Sequence, residues 1–137
     1  MKPIEVALYN KLKAGTAITA LVGGTASYRI YNTVHAQGAS LPSIVFQKQG
    51  GGHTPDTPRE NVDIIYTVKV LSDNLQTAEN IDQAITAALD RQDLSVGSGY
   101  ADYGCFRIGH VHFMEGLIGG SIIYHVGGMY RILASKT

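Results

Sequence analysis

The segment from Val62 to Leu71 (VDIIYTVKVL) constrains the fold of this chain more than any other. Branched and aromatic side chains recur at every second position, so that one face holds Ile64, Tyr66, Val68 and Val70. This period of two is typical of a strand with one face buried. The segment therefore predicts a central strand of a sheet.

A helix is expected directly after this strand, over about residues 75–90. Its apolar residues recur at three- and four-residue spacing: Leu75, Ala78, Ile81, Ile85, Ala88 and Leu89. Ser72 or Asp73 is expected to cap the helix, with Gln76 in a capping-box relation to Asp73.

Two helices and two strands are predicted before this unit, and two strands after it. The first helix starts near Pro3, ends at Gly15 and buries Ile4, Ala7, Leu8 and Leu12; the second is capped by Thr16, carries Ile18, Leu21 and Val22, and ends at Gly23-Gly24. The predicted strands are Ser27–Tyr31, Ser43–Gln49, Cys105–Glu115 and Ser121–Leu133, with a hairpin turn over Gly116–Gly120. On the Cys105–Glu115 strand, one face is expected to hold Phe106, Ile108, His110, His112 and Met114. The order α-α-β-β-β-α-β-β favours an α+β fold with a mainly antiparallel sheet and helices packed on one face.

A long loop is expected between the second and third strands. Residues 50–61 (GGGHTPDTPREN) contain three glycines, two prolines and otherwise only polar residues. Such a composition predicts a flexible loop without packed structure. No other stretch separates the chain into parts, so residues 1–137 are expected to form a single domain.

The composition excludes several functional classes. Eleven Lys and Arg residues balance eleven Asp and Glu residues, so the chain has no net charge that would attract nucleic acid or an anionic membrane. The single cysteine, Cys105, cannot form an intramolecular disulfide. Neither a signal peptide nor a membrane-spanning segment is expected. The charged fraction of 16% is low for a free monomer, which typically has nearer a quarter.

The sharpest chemical pattern is His110-x-His112, two imidazoles on the same side of one strand. Alternate strand residues lie about 7 Å apart, so both rings could bind one metal, with Glu115 or His125 as a third ligand. The alternative is two histidines on a half-exposed strand or at a subunit contact. The absence of an HExxH or CxxC motif favours this alternative.

Other signatures of catalysis are absent from the sequence. Cys105 is expected to be a small core residue, because nothing near it would lower the pKa of its thiol. No G-x-S-x-G motif is present, and the glycine pairs lack the Lys-Ser/Thr of a phosphate loop. Eight tyrosines in a chain of low charge suit protein–protein contact or ordinary sheet propensity. These features favour an interaction protein over an enzyme, and no cofactor is expected.

The order of several segments resembles the tail completion proteins of long-tailed bacteriophages. The resemblance rests on Ile4–Leu12, Ile18–Gly23, Arg29–Tyr31, Ala36–Pro42 followed by Ile44–Gln47, Ala78–Ile81, Ala87–Asp90 and Tyr130–Leu133. The Arg-Ile-Tyr sequence followed by Gln-Gly-x-x-Leu-Pro is its most specific part. It covers residues 4 to 133 in order.

This resemblance implies a structural virion protein at the head–tail junction, related to tail terminators and neck proteins. Such proteins form a ring, typically of six subunits, that caps the tail tube and joins it to the head. The partners implied are other copies of the chain, the tail tube protein and a head–tail connector or neck protein. The location implied is the virion neck, reached through the host cytoplasm during assembly. The family has no catalytic residues to carry over.

The loop at residues 50–61 and the histidine pair are not explained by the resemblance. We expect the loop to contact a neighbouring subunit or the tube, with Gly50, Gly51, Gly52, His53, Asp56, Arg59 and Glu60 as the candidate contact residues. Two alternatives remain: another ring-forming neck or connector protein, and a small metal-dependent enzyme that uses His110 and His112.

Overall fold

A computed structural model describes residues 2–22, 29–33, 41–54, 61–94, 96–97, 99–116 and 122–136. The helices are α1 (Lys2–Ala14), α2 (Thr16–Val22) and α3 (Leu75–Leu89). The strands are β1 (Ile30–Asn32), β2 (Ser43–Thr54), β3 (Asn61–Ser72), β4 (Tyr100–Gly116) and β5 (Ile122–Lys136). The order α-α-β-β-β-α-β-β is confirmed.

The five strands form one sheet in the order β1-β2-β3-β5-β4. The short β1 pairs parallel with β2, and all other neighbours are antiparallel. The prediction of a mainly antiparallel α+β fold is therefore confirmed. The two outermost strands of this sheet are β1 and β4.

One face of the sheet is covered by the helices, and the core lies between the two layers. The alternating residues of β3 that were expected to be buried are fully buried, and so is the apolar stripe of α3 at Ala78, Ile81, Ile85 and Leu89. The apolar face of α1 is buried in the same core. The Tyr66 hydroxyl donates to Glu5 over 3.3 Å and so joins β3 to α1.

The predicted loop over residues 50–61 is wrong at both ends. β2 continues through Thr54, and β3 begins at Asn61. Pairing with β3 overrides the glycine-rich composition, because Gly50 to Thr54 each have a partner residue on β3. A β-bulge lies between Lys48 and Gly50, and Gly51 adopts a φ of +87°, which glycine tolerates. Residues 55–60 lie outside the described residues.

The cap of α3 also differs from the prediction. Asn74, and neither Ser72 nor Asp73, is the N-cap, and its side-chain oxygen accepts from the backbone N–H groups of Gln76 and Thr77. Ser72 instead accepts from the backbone N–H of Asn74 over 3.1 Å. Three polar residues in a row left the position of the cap open to local competition.

The prediction that Phe106, Ile108, His110, His112 and Met114 share one face of β4 is wrong, because a β-bulge interrupts this strand. The register shifts between Arg107 and Gly109, so two residues of β4 oppose one residue of β5. Phe106 therefore lies opposite the exposed Arg131, on the face without helices, while His110 lies on the helix side. A strict period of two had placed both on one face.

The remaining boundaries differ by a few residues. The first predicted strand begins at Ile30, and Ser27 and Tyr28 lie outside the described residues. Gly116 is the last residue of β4, and the rest of the predicted hairpin turn also lies outside them. In the part of the chain that is described, no helix is both long and apolar enough to cross a membrane.

Candidate assembly surface

Arg107 is the centre of a polar cluster between β4 and α3. Its guanidinium makes two parallel bonds to the Asp82 carboxylate, at 3.0 and 3.1 Å, and the exposed fractions of the two side chains are only 12% and 15%. It also donates to the hydroxyls of Thr86 and Tyr130 and to the Gly127 carbonyl. Such a bidentate pair fixes both position and orientation, so Arg107 locks β4 to the helix layer.

The pKa values of this cluster follow from its burial. Burial raises the pKa of Tyr130, although bonds with Thr86 and Arg107 act in the opposite direction. Burial is the largest single effect on the pKa of Arg107 and acts to lower it, but the bonds and charges of Asp82 and Tyr130 together outweigh burial, so the pKa is raised. The cluster therefore holds one ion pair and a neutral phenol at physiological pH.

An open groove of about 570 Å³ lies beside this cluster, between α3 and the edge strand β4. It is lined by Glu79, Asp82, Gln83, Thr86, Ala87, Arg107 and His110. His110 contacts Arg107 through its Nδ1 atom at 3.1 Å. Because the Asp82 carboxylate is bonded to Arg107, it is not free to act with Glu79 as a pair of carboxylates in acid–base chemistry.

His125 lies on the other face of the sheet and not with the histidine pair. Its Nε2 atom is 2.9 Å from the Glu115 carboxylate, and its ring stacks on Phe113 with 4.2 Å between the centroids. The ammonium group of Lys69 lies 5.5 Å from the centre of the Phe113 ring. The two residues expected as third ligands for a metal therefore pair with each other, away from His110.

The metal site considered for His110 and His112 has no third ligand in the described part of the chain. Both histidines lie on the helix side of β4 and are exposed. Among the described residues, no three His, Cys, Asp or Glu side chains are grouped so that they could hold a metal ion.

Cys105 is fully buried in the core, as predicted. Burial, with a smaller contribution from Asp90, raises the pKa of its thiol to about 12. A thiol in this state is not a nucleophile at neutral pH.

The outer edge of β4 is covered only in its first half. The Cys105 carbonyl accepts from the backbone N–H of Arg91 over 2.7 Å, and the backbone N–H of Arg107 donates to the Asp90 carboxylate over 3.0 Å. Beyond Arg107, no described residue bonds to this edge. An uncovered strand edge presents a row of unpaired N–H and C=O groups and is a site where another chain can pair.

Exposed apolar side chains are concentrated on the same strand. Except for Val6, the large exposed apolar residues of the described part lie on β4 or on the first residue of β5: Phe106, Ile108, Phe113, Met114 and Ile122. Met114 has 66% of its surface exposed and Ile108 has 49%. Apolar side chains beside an open strand edge are typical of an interaction surface.

The residues predicted to make assembly contacts divide into two groups. Gly50, Gly51, Gly52 and His53 lie in the second half of β2. Asp56, Arg59 and Glu60 lie outside the described residues. β1 pairs with β2 only at residues 44–46, so that, within the described chain, the outer edge of β2 from Gln47 to Thr54 has no strand beside it.

Sequence reasoning missed Arg107 and Asp82. The available signal was that Arg107 is the only lysine or arginine on β4, because a charged side chain on a buried face needs a partner. The partner could not be identified from the sequence, since 25 residues separate Asp82 from Arg107.

Comparison with known proteins gives a match to one family model and matches to chains of solved structures. The family model described as Tail completion protein gp17 matches residues 6–114 of the chain. The fold is similar to that of a chain in a solved structure described as "Virion of native gene transfer agent (GTA) particle", with a TM-score of 0.75. The two chains are 18% identical, and the match covers 96% of this chain and 94% of that chain. No curated protein sequence matches the chain.

Proposed function

Because this chain belongs to the Tail completion protein gp17 family, we propose that it forms a ring that caps the tail tube and joins the tail to the head. The family is a structural one: its members are components of the virion tail and not enzymes. The observation that carries the proposal is the family match over residues 6–114, which begins within α1, ends within β4 and includes every element between them.

A ring of six subunits is the assembly that we propose. Each subunit in a closed ring needs two different complementary surfaces, one for each neighbour. The uncovered half of β4 and the second half of β2 are two such surfaces, at opposite edges of the sheet. The low charge of the chain supports burial of a substantial part of its surface, since charged residues are depleted in interface cores.

The partners that we propose are the tail tube protein below the ring and a connector or neck protein above it. Asp56, Arg59 and Glu60 belong to the segment that joins β2 to β3, and we propose that this segment contacts a neighbouring subunit or the tube. The mature location would be the neck of the virion, and the ring would assemble in the host cytoplasm.

Inactivation of the gene in cells that produce the particle tests this function. We expect separate heads and tails in electron micrographs, and restoration of joined particles when the chain is supplied from a plasmid. A yield of joined particles that does not change without the chain would overturn the proposal. Native mass spectrometry of chains recovered from isolated tails gives the number of subunits in the ring.

A triple substitution, Asp56→Ala with Arg59→Ala and Glu60→Ala, tests the joining segment. It leaves β2 and β3 intact, so the folded state should persist. We expect joined particles to be lost while the circular dichroism spectrum and the unfolding midpoint stay unchanged. An unchanged yield would remove this segment from the proposed contacts.

A further inference from the structure

We infer that neighbouring subunits join by main-chain pairing, in which the outer edge of β4 on one copy binds antiparallel to the outer edge of β2 on the next copy. The inference rests on the proposed ring and names the elements that would close it. The partner is a second copy of this chain, because the same molecule offers both edges and their directions match.

The bulge in β4 determines which of its backbone N–H and C=O groups face outward and are free to bond to another chain. Cys105 and Arg107 use their outward-facing carbonyl and N–H groups on residues 90 and 91. The extra residue between Arg107 and Gly109 reverses the alternation. The N–H and C=O groups of His110, His112 and Met114 therefore point away from β5.

The outward-facing backbone groups of β2 are identified in the same way, from the bonds it makes and from its bulge. The Ile44 N–H and the Phe46 carbonyl point outward, since they bond to residues 29 and 33. Lys48 continues this alternation, and the bulge after it moves the outward positions to Gly51 and His53. Each edge thus presents three outward residues, and those with described side chains, Lys48 on β2 and His110, His112 and Met114 on β4, lie on the helix side of the sheet.

The directions of the two edges allow the sheet to continue from copy to copy. β2, β3, β5 and β4 alternate in direction, so β2 and β4 are antiparallel within one subunit. A neighbouring β2 placed beside β4 therefore continues the antiparallel order. Pairing of β4 with β4 would instead give a twofold dimer, which closes on itself and cannot form a larger ring.

The two open edges lie at opposite ends of the sheet, and this offset favours a ring of tilted strands. Within one subunit, Lys48 pairs with Tyr66, which pairs with Tyr130, which in turn pairs with Arg107. Lys48 and Arg107 therefore lie at the same position along the strand direction. Bringing Lys48 beside Met114 of the next copy requires a stagger of about six residues, or about 20 Å along the strand, over four strands that span about 19 Å. This ratio gives a strand tilt of about 45°, which lies at the upper end of the range for closed sheets.

Engineered cysteines test the pairing directly. Lys48→Cys with Met114→Cys places one thiol on each edge, and both native side chains are exposed. We expect particles assembled from this double variant to give a ladder of covalent multimers on a non-reducing gel after oxidation. The pair His53→Cys with His110→Cys tests the same register two outward-facing positions further along, which is five residues on β2 (one of them the bulge) and four on β4. Gly51 is not used, because a Cβ there would lie 2.1 Å from the Asp63 carbonyl.

Three controls accompany this experiment. The native Cys105 is buried, so the unmodified chain should give no multimers. Met114→Cys alone should also give none, whereas a covalent dimer from it would indicate pairing of β4 with β4. Phe106→Cys with Lys48→Cys places the thiol on the opposite face of β4, in its covered half, and should stay monomeric. If joined particles form but neither Lys48→Cys with Met114→Cys nor His53→Cys with His110→Cys gives crosslinks, the inference is overturned and the proposed function stays intact.

Proline at His112 tests whether the main chain makes the contact. The outward N–H of His112 is not used within the described part of the subunit, so His112→Pro should keep the fold. We expect at least a tenfold loss of joined particles relative to His112→Ala, which removes the same side chain but keeps the N–H. Equal yields from the two variants would overturn the inference; if His112→Pro does not fold, the crosslinking variants decide.

Discussion

Substitution of Asp82 by alanine should destabilise the chain more than removal of any other carboxylate in the described part. Asp82 neutralises Arg107 in a site where only 15% of one side chain and 12% of the other is exposed. Without Asp82, the guanidinium keeps its bonds to two hydroxyls and a carbonyl but loses its counter-charge.

The size of the effect follows from the burial of this pair. Removal of one partner of a fully buried ion pair costs about 3–5 kcal/mol, because the other charge stays desolvated. Groove water reaches part of this pair, so we expect a loss of about 2–3 kcal/mol in the free energy of unfolding. Replacement of both charges, as Asp82→Leu with Arg107→Met, should cost less than Asp82→Ala alone, because no unpaired charge remains.

Urea denaturation followed by circular dichroism measures these losses. The exposed pair of Arg131 and Asp63 provides a matched control, since it has the same bidentate chemistry but exposed fractions of 48% and 31%. Asp63→Ala should give a clearly smaller loss, since water screens exposed pairs. Equal losses from Asp82→Ala and Asp63→Ala, or a double variant less stable than Asp82→Ala, would refute the reasoning.

Three further predictions concern stability and reactivity. The Cys105 thiol should not react with an aromatic disulfide reagent at pH 8 until urea unfolds the chain, because its pKa is raised to about 12; fast reaction of the folded chain would contradict its burial. Gly127→Ala should cost about 1–3 kcal/mol, since its Cβ would lie 2.2 Å from a β3 carbonyl, whereas Gly50→Ala meets no atom within 4 Å and should be nearly neutral in the same denaturation assay. The bond from Arg131 lowers the pKa of Asp63 below its ordinary value of 3.8. The stability that this pair adds to the folded chain is therefore present above pH 3.8 and is lost as the pH falls through the lowered pKa; Asp63→Asn should flatten this part of the curve of stability against pH.

Periodicity in the sequence was sufficient to predict the element order and the core. The alternating residues of β3 and the apolar stripe of α3 are buried as expected, because each pattern has only one way to remove its apolar side chains from water. The fold class followed from the order of the elements, and the family resemblance is confirmed over residues 6–114.

The candidate assembly surface was predicted only in part. Residues 50–53 were named as contact residues, but as a loop, while the structure places them in β2. The open edge of β4 was not predicted, since the sequence does not show which strands lie at the edges of the sheet. The histidine pair was found by its spacing, but the structure separates it from Glu115 and His125.

The sequence by itself determined the order of the helices and strands and the apolar sides of α1, α3 and β3, since these depend on side chains a few residues apart. The tertiary structure decided the rest: the strand order β1-β2-β3-β5-β4, the bulges after Lys48 and Arg107, and the bond between Arg107 and Asp82. Each of these depends on groups that are far apart in the chain and adjacent only after folding. A bulge reverses the faces of every residue beyond it, so the surface that β4 presents could be known only once its pairing with β5 was known.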